Sequence, residues 1–262
     1  MDVYVNALTG NDANDGLLST RAKRTIQAGV DAVPVVLGGP AIVHIAAGTY
    51  SESVVVDRKL MRGGNVALIT LEGAGTPTWP PAPTTVLNGG GSLSIGITVL
   101  GFAEVRHMKV TGFTEAGISA AFGYLLVDDC RIESNGAENG VGVFKAELEL
   151  LDSVVANGVG EGPAIESHDG NLIVGRATLT ADGAAVILIG SSDLCFCDDG
   201  GPLTINPSGV AIEANNSSAS FEGRTDLCLG SMTAYDHSTI SGYGNDPCAG
   251  TCIEGALSIC RP

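Results

Sequence analysis

Four segments of this chain end alike and recur at nearly even intervals: FAEVRHMKVTG (102–112), LVDDCRIESNG (126–136), LELLDSVVANG (148–158) and IVGRATLTADG (173–183). Their closing glycines are 24, 22 and 25 residues apart. A repeat this short is one supersecondary unit that cannot bury its apolar side alone, so neighbouring copies must stack into a solenoid. Counted back from each glycine, the tenth place holds Phe102, Leu126, Leu148 and Ile173, and the fourth holds Met108, Ile132, Val154 and Leu179. The second place holds Val110, Ser134, Ala156 and Ala181. These columns are apolar or small, as a stacked interior requires. The place before the glycine holds Thr111, Asn135, Asn157 and Asp182, residues that bond turn backbone and would form a ladder along the stack. Asn88-Gly89 continues the spacing upstream and Gly209 downstream, which predicts about eight rungs between residues 41 and 244.

The spacing alone also fits a leucine-rich repeat, but Leu-x-x-Leu-x-Leu and a helical return are absent. Short apolar runs between Gly, Asn and Asp leave no room for a helix within a repeat. The 37 glycines and the small aromatic content suit one elongated all-β domain with many tight turns. Ahead of the repeats, TIQAGVDAV (25–33) places Ile26, Val30 and Val33 on one side of a short helix that stops at Pro34. Such a helix would cap the first rung within residues 1–40 and shield its apolar core and strand edge. The domain is expected to span residues 1–244, with a Cys-rich segment, 245–262, packed on the far end.

The opening resembles a known family. YVNALTGNDANDG (4–16), TIQAGVDAV (25–33) and VHIAAGTYSESVVV (43–56) look like the N-terminal cap and first rung of the pectin-lyase-like right-handed parallel β-helix superfamily. The match covers about the first 57 residues, and the repeat columns extend it through residue 183. Ala22-Lys23-Arg24 stands where a Pro-aromatic pair is expected before the helix, so no subfamily is assigned. The resemblance implies a single-stranded β-helix with a carbohydrate cleft along one sheet face. In similar enzymes, lyases neutralise a uronate with Ca²⁺ and use Arg or Lys as base, whereas hydrolases use clustered aspartates. This sequence contains no Arg-x-Pro-x-x-Arg, no Gly-His-Gly and no Asn-Thr-Asp.

The formal charge of −16 is lopsided, with residues 1–131 at −2 and residues 132–262 at −14. So acidic a surface repels phosphate backbones and anionic headgroups, which excludes nucleic acid and membrane partners. The longest apolar stretch, 32–48, is broken by Pro34, Gly38, Gly39 and Pro40 and cannot span a bilayer. Six of seven cysteines (Cys195, Cys197, Cys228, Cys248, Cys252 and Cys260) crowd one terminal region, which points to disulfides in an oxidising compartment, extracellular or at the cell surface. Zinc fits Cys-x-Cys at 195–197 and Cys-x-x-x-Cys at 248–252 poorly. Cys130 shares a column with Ala177 and reads as a small buried residue.

On the expected register His107 would lie beside Arg131, Lys109 beside Glu133, and Glu104 beside Asp128. His107, Lys109, Asp128 and Arg131 are therefore the candidate catalytic set, able to abstract a proton or grip an anionic sugar. Alternating charges that only form surface ion pairs are the competing reading. Asp128-Asp129 resembles a hydrolytic carboxylate pair, but neighbours on a strand face opposite ways unless a turn intervenes. His168-Asp169 and Asp236-His237 lack a nucleophile elbow, and the glycines at 158, 160 and 162 lack a phosphate-loop context. Calcium is the one cofactor the acidic residues could recruit, through Asp12 and Asp15 in a Gly-flanked loop or Asp198 and Asp199 beside Cys197; turn capping competes for the first pair.

The leading expectation is a non-catalytic extracellular β-helix with a surface, adhesive, assembly or glycan-binding role. The alternative is a polysaccharide lyase or glycoside hydrolase acting on an acidic polysaccharide along the flank. A trimeric phage or injection-system spike is the second alternative.

Overall fold

The computed structural model describes residues 1–64, 66–133, 135–136, 138–157, 162–196, 203–207, 210–220, 231–235, 237–241, 252–254 and 259–261. They form a parallel β-solenoid with three sheets. Each rung contributes one strand to each sheet, as Phe102–Arg106, Met108–Thr111 and Ala116–Ala121 do in rung 3. Seven complete rungs run from Ala41–Ile45 to Val210–Asn215. Shorter pairings, among them Ser218–Ser220, Ser231–Tyr235 and Thr239–Ser241, continue the stack.

Period-2 alternation sends every second side chain inward, and the rungs stack like on like. On the first sheet Val43, Leu71, Val105, Val127, Leu150 and Val174 share one inward column and are fully buried. Met108, Cys130, Ser153 and Ala177 share a column on the second sheet, as expected for Cys130 and Ala177. Burial pushes the Cys130 thiol up to about 12, and its Sγ lies 3.3 Å from the carbonyls of Val105 and Asp128. It is a packing residue, not a nucleophile.

Two corners turn tightly. The first-to-second corner uses left-handed residues in three successive rungs, His107 (φ 53°), Asp129 (φ 50°) and Asp152 (φ 47°). The third-to-first corner does the same with Phe122, Lys145, Asp169, Asn216 and His237. In rungs 3 to 6 the second-to-third connections are longer, and they absorb the differences in repeat length.

That absorption shifts the register expected from the glycines. Lys109 pairs with Arg131 and Thr111 with Glu133, an offset two residues short of the glycine spacing. Glu104 lies beside Leu126, and Arg106 beside Asp128. Gly112 closes its turn directly at φ 74°, whereas Gly136 lies further along its connection, where a Cβ would meet the Thr114 carbonyl oxygen at 1.8 Å. The two glycines are not equivalent, so columns counted from them slip on the side of Gly136. Asn135 and Asn157 do bond turn backbone: Asn135 accepts from the Phe113 amide at 3.3 Å and donates to the Val110 carbonyl at 3.1 Å, and Asn157 donates to the Pro163 carbonyl at 3.1 Å.

The cap follows the sequence. Helix Ile26–Asp31 buries Ile26 and Val30, and Val33 just beyond it is buried too. Thr25 accepts from the Ala28 amide at 3.2 Å as N-cap, and Glu52 of rung 1 accepts from the Ile26 and Gln27 amides at 2.8 and 2.9 Å. Those bonds satisfy first-turn donors and tie the helix to the solenoid. Cys195 is disulfide-bonded. Cys197, Cys228 and Cys248, and the side chains of Cys252 and Cys260, lie outside the described residues. No helix among the described residues is long and apolar enough to cross a membrane.

Candidate functional site

A cleft of about 450 Å³ lies on the outer face of the third sheet. One outward row runs Thr98, Ser119, Gly142, Glu166, Ile187, and the next runs Phe144, His168, Ile189. Small side chains at Ser119 and Gly142 leave a trough, and Ile187 and Ile189 rise beyond its charged end. Gly142 matters for its lack of a side chain: a Cβ there would meet the Asn139 amide oxygen at 2.9 Å. Asn139 starts the strand Asn139–Phe144, and exposed Glu138 precedes it at the mouth of the trough.

The polar groups converge on Glu166. Its Oε1 lies 2.8 Å from His168 Nε2, and its Oε2 accepts from Asn139 Nδ2 at 3.4 Å. Asn139 is buried, and its Oδ1 has no hydrogen-bond partner. Glu166 and His168 keep 24% and 42% of their side-chain surface, so both remain reachable. Phe144 and Phe122 pack edge to face at the rim, 5.4 Å between centroids. Among the described residues no Arg or Lys lines the trough, although Lys145 Nζ lies over the Phe144 ring at its rim, 5.4 Å from the centroid. A carboxylate held by an imidazole and an amide, with a second carboxylate at the mouth, can hold, donate and accept protons around a bound hydroxyl or glycosidic oxygen.

The sequence-predicted residues fall elsewhere and divide between two places. His107 and Asp128 line a cleft of about 300 Å³ at the first-to-second corner, with Asp129, Asp152 and Arg176. Thr78 and Trp79, from the long connection between strands Val66–Gly73 and Thr85–Asn88, also line it. Here the turn does intervene, so both Asp128 and Asp129 reach one cleft. Lys109 and Arg131 lie on the second sheet, both ion-paired to Glu133, with Arg131 Nη2 at 2.7 Å. Burial raises the Glu133 carboxyl, but bonds from Lys109 and Arg131 prevail and hold it below the usual range.

Asp12 and Asp15 serve the cap. Asp12 accepts from the amides of Arg24 and Thr25 at 2.7 and 3.0 Å and from the Thr25 hydroxyl at 3.1 Å; Asp15 pairs with Arg21 at 2.9 Å. These bonds fit the turn-capping reading of the loop. Asp198, Asp199 and Asp236 lie outside the described residues, as do residues 158–161. Asp169 accepts from the Ser191 amide at 2.9 Å and belongs to its corner.

Asp129 gives a pH prediction. Burial raises its carboxyl most, and Asp128 and Asp152 add to this, against the opposing Thr78 main chain and His107. The folded state thus keeps this proton where the unfolded chain has lost it, so stability falls as pH rises from the ordinary aspartate value, about 3.9, through the raised folded one. Asp129→Asn is expected to raise Tm at neutral pH, with the gain vanishing below about pH 3; calorimetric scans across that range check it.

No protein-family model matches the sequence, and no curated protein matches it. Among solved structures, the chain is similar to Escherichia coli YbhC, at 12% identity and a TM-score of 0.53, over 98% of this chain and 76% of that one. It is also similar to the alginate lyase from Paenibacillus sp. str. FPU-7, at 12% identity and a TM-score of 0.51, over 98% of each chain. At such identities the likeness concerns the backbone path. Together with the three stacked parallel sheets and the helical cap, it shows that this chain has the pectin-lyase-like right-handed parallel β-helix fold.

Proposed function

We propose that the third-sheet trough binds a polysaccharide chain outside the cell and hydrolyses it, with Glu166 and Glu138 as the working carboxylates. The observation that carries this is the set around Glu166: His168 at 2.8 Å, Asn139 at 3.4 Å, and no Arg or Lys among the described lining residues. A lyase that abstracts a proton beside a uronate needs a base and a cation to offset the carboxylate, and the trough offers two Glu instead. The same negative charge disfavours an anionic sugar at Glu166, so an uncharged residue is cut there. Glu166 serves as base or nucleophile, kept in position by His168 and Asn139, and Glu138 supplies the acid. A small outward row lets the chain lie close to the sheet.

Incubation with a panel of neutral and acidic polysaccharides, reading new reducing ends and unsaturated products, tests this. Hydrolysis gives reducing ends without unsaturated sugars; unsaturated products alone would overturn the hydrolytic reading. Gly142→Leu is expected to fill the trough, push aside the Asn139 amide that its Cβ would meet at 2.9 Å, and weaken oligosaccharide binding by about tenfold or more; isothermal titration checks it. The second reading, a glycan-binding module without catalysis, draws on the same trough and on the missing catalytic signatures. It predicts saturable binding with no products.

A further inference from the structure

The first-to-second corner cleft is separate from the trough and has a different chemistry. Asp128 and Asp129 reach it from one rung and Asp152 from the next. Arg176 pairs with Asp152 and lies over the Trp79 ring, its Cζ 5.3 Å from the centroid. Arg106 is shared, 2.5 Å from Glu104 and 3.6 Å from Asp128. Asp129 faces His107 Nε2 at 3.6 Å, beyond hydrogen-bond length. Asp129 is only 4% exposed, and its Oδ1 has no hydrogen-bond partner.

Burying an incompletely paired carboxylate is costly, and two further aspartates nearby make it costlier. The described lining holds three aspartates against one arginine, and both Asp128 and Asp129 are raised, by burial first. A cation brought by a ligand would relieve it. A bare metal ion fits poorly: no group of three or more His, Cys, Asp or Glu among the described residues is arranged to hold one. An ammonium needs no such convergence, because each of its N–H groups can reach a different acceptor. About 300 Å³ is at the small end of ligand sites and suits one sugar-sized ring beside an indole wall.

We propose that this corner cleft is a second ligand site, which takes a primary ammonium carried on a compact polar ring, an amino sugar, with Asp129 and Asp128 receiving the ammonium and Trp79 flanking the ring. Nothing in it depends on catalysis at the trough.

Trp79 is the only tryptophan in the chain, so its fluorescence reports this cleft. Titration of the intact protein near neutral pH with glucosamine is expected to give a saturable change, with N-acetylglucosamine and glucose at least tenfold weaker for lack of the charge, about the value of one charge-assisted hydrogen bond. Asp129→Asn and Asp128→Asn, each checked for folding by circular dichroism, are expected to weaken glucosamine about 10–100-fold. The proposal is overturned by no saturable response to glucosamine, by equal responses to the neutral sugars, by unchanged affinity in both variants, or by a response to Ca²⁺ alone.

Discussion

Glu166→Gln is expected to lower polysaccharide cleavage by about 10²–10⁴-fold, the usual contribution of a positioned acid–base group. The exchange keeps the shape of the side chain and its bond with Asn139, and it removes only the charge and the proton-accepting oxygen. Glu166 retains a quarter of its side-chain surface, so its loss is not a core defect, and Tm should move little. The split between kinetic constants is diagnostic. If Glu166 acts on the reacting bond, kcat falls while oligosaccharide affinity is nearly kept; if it merely shapes the trough, affinity falls instead. Glu138→Gln should lose activity in the same manner, and a variant in which only KM rises would contradict its role as acid.

Leu148→Ala is expected to destabilise the solenoid by about 2–5 kcal/mol, or about 4–20 °C in Tm for a domain of this size. Leu148 is fully buried between Leu125 of the rung below and Leu172 of the rung above. Truncation leaves a cavity that neither strand can close, since each is fixed by its own ladder on both sides. Leu100→Ala serves as the control, because Leu100 lies on the outer face and is 41% exposed; its cost should stay within about 0.5 kcal/mol. Hydrogen exchange should show the loss of protection centred on the rungs flanking Leu148, because each rung of a solenoid touches only its neighbours. A uniform loss along the whole stack would contradict that local coupling.

The architecture was legible because a stacked fold writes its core into the sequence at a fixed interval. Ile26, Val30 and Val33 marked the cap by helical spacing, and the buried pair Cys130 and Ala177 was found from column counting. The register was less legible. Glycines punctuate turns of unequal length, and Gly136 lies deeper in its connection than Gly112 does, so charges counted from them were matched to the wrong neighbours. The trough escaped for a related reason. The four clearest repeats cover strands of the first and second sheets, while Asn139, Glu166 and His168 sit on third-sheet strands between one copy and the next. A signal was present there, in the small outward Gly142 of GVGVF and the alternating Glu and His of IESH, but it becomes a site only once the strand pairing brings Gly142 beside Glu166 and Phe144 beside His168. Likewise, Asp128 and Asp129 share a cleft only because Asp129 adopts a left-handed corner conformation.

The central claim is that the third-sheet trough cleaves polysaccharide through Glu166. The most direct measurement compares reducing ends released from a polysaccharide panel by the wild-type protein and by Glu166→Gln under identical conditions. The account predicts release by the wild type and a loss of about 10²–10⁴-fold in the folded variant. Equal release by both proteins, or saturable binding with no release by the wild type, would contradict it.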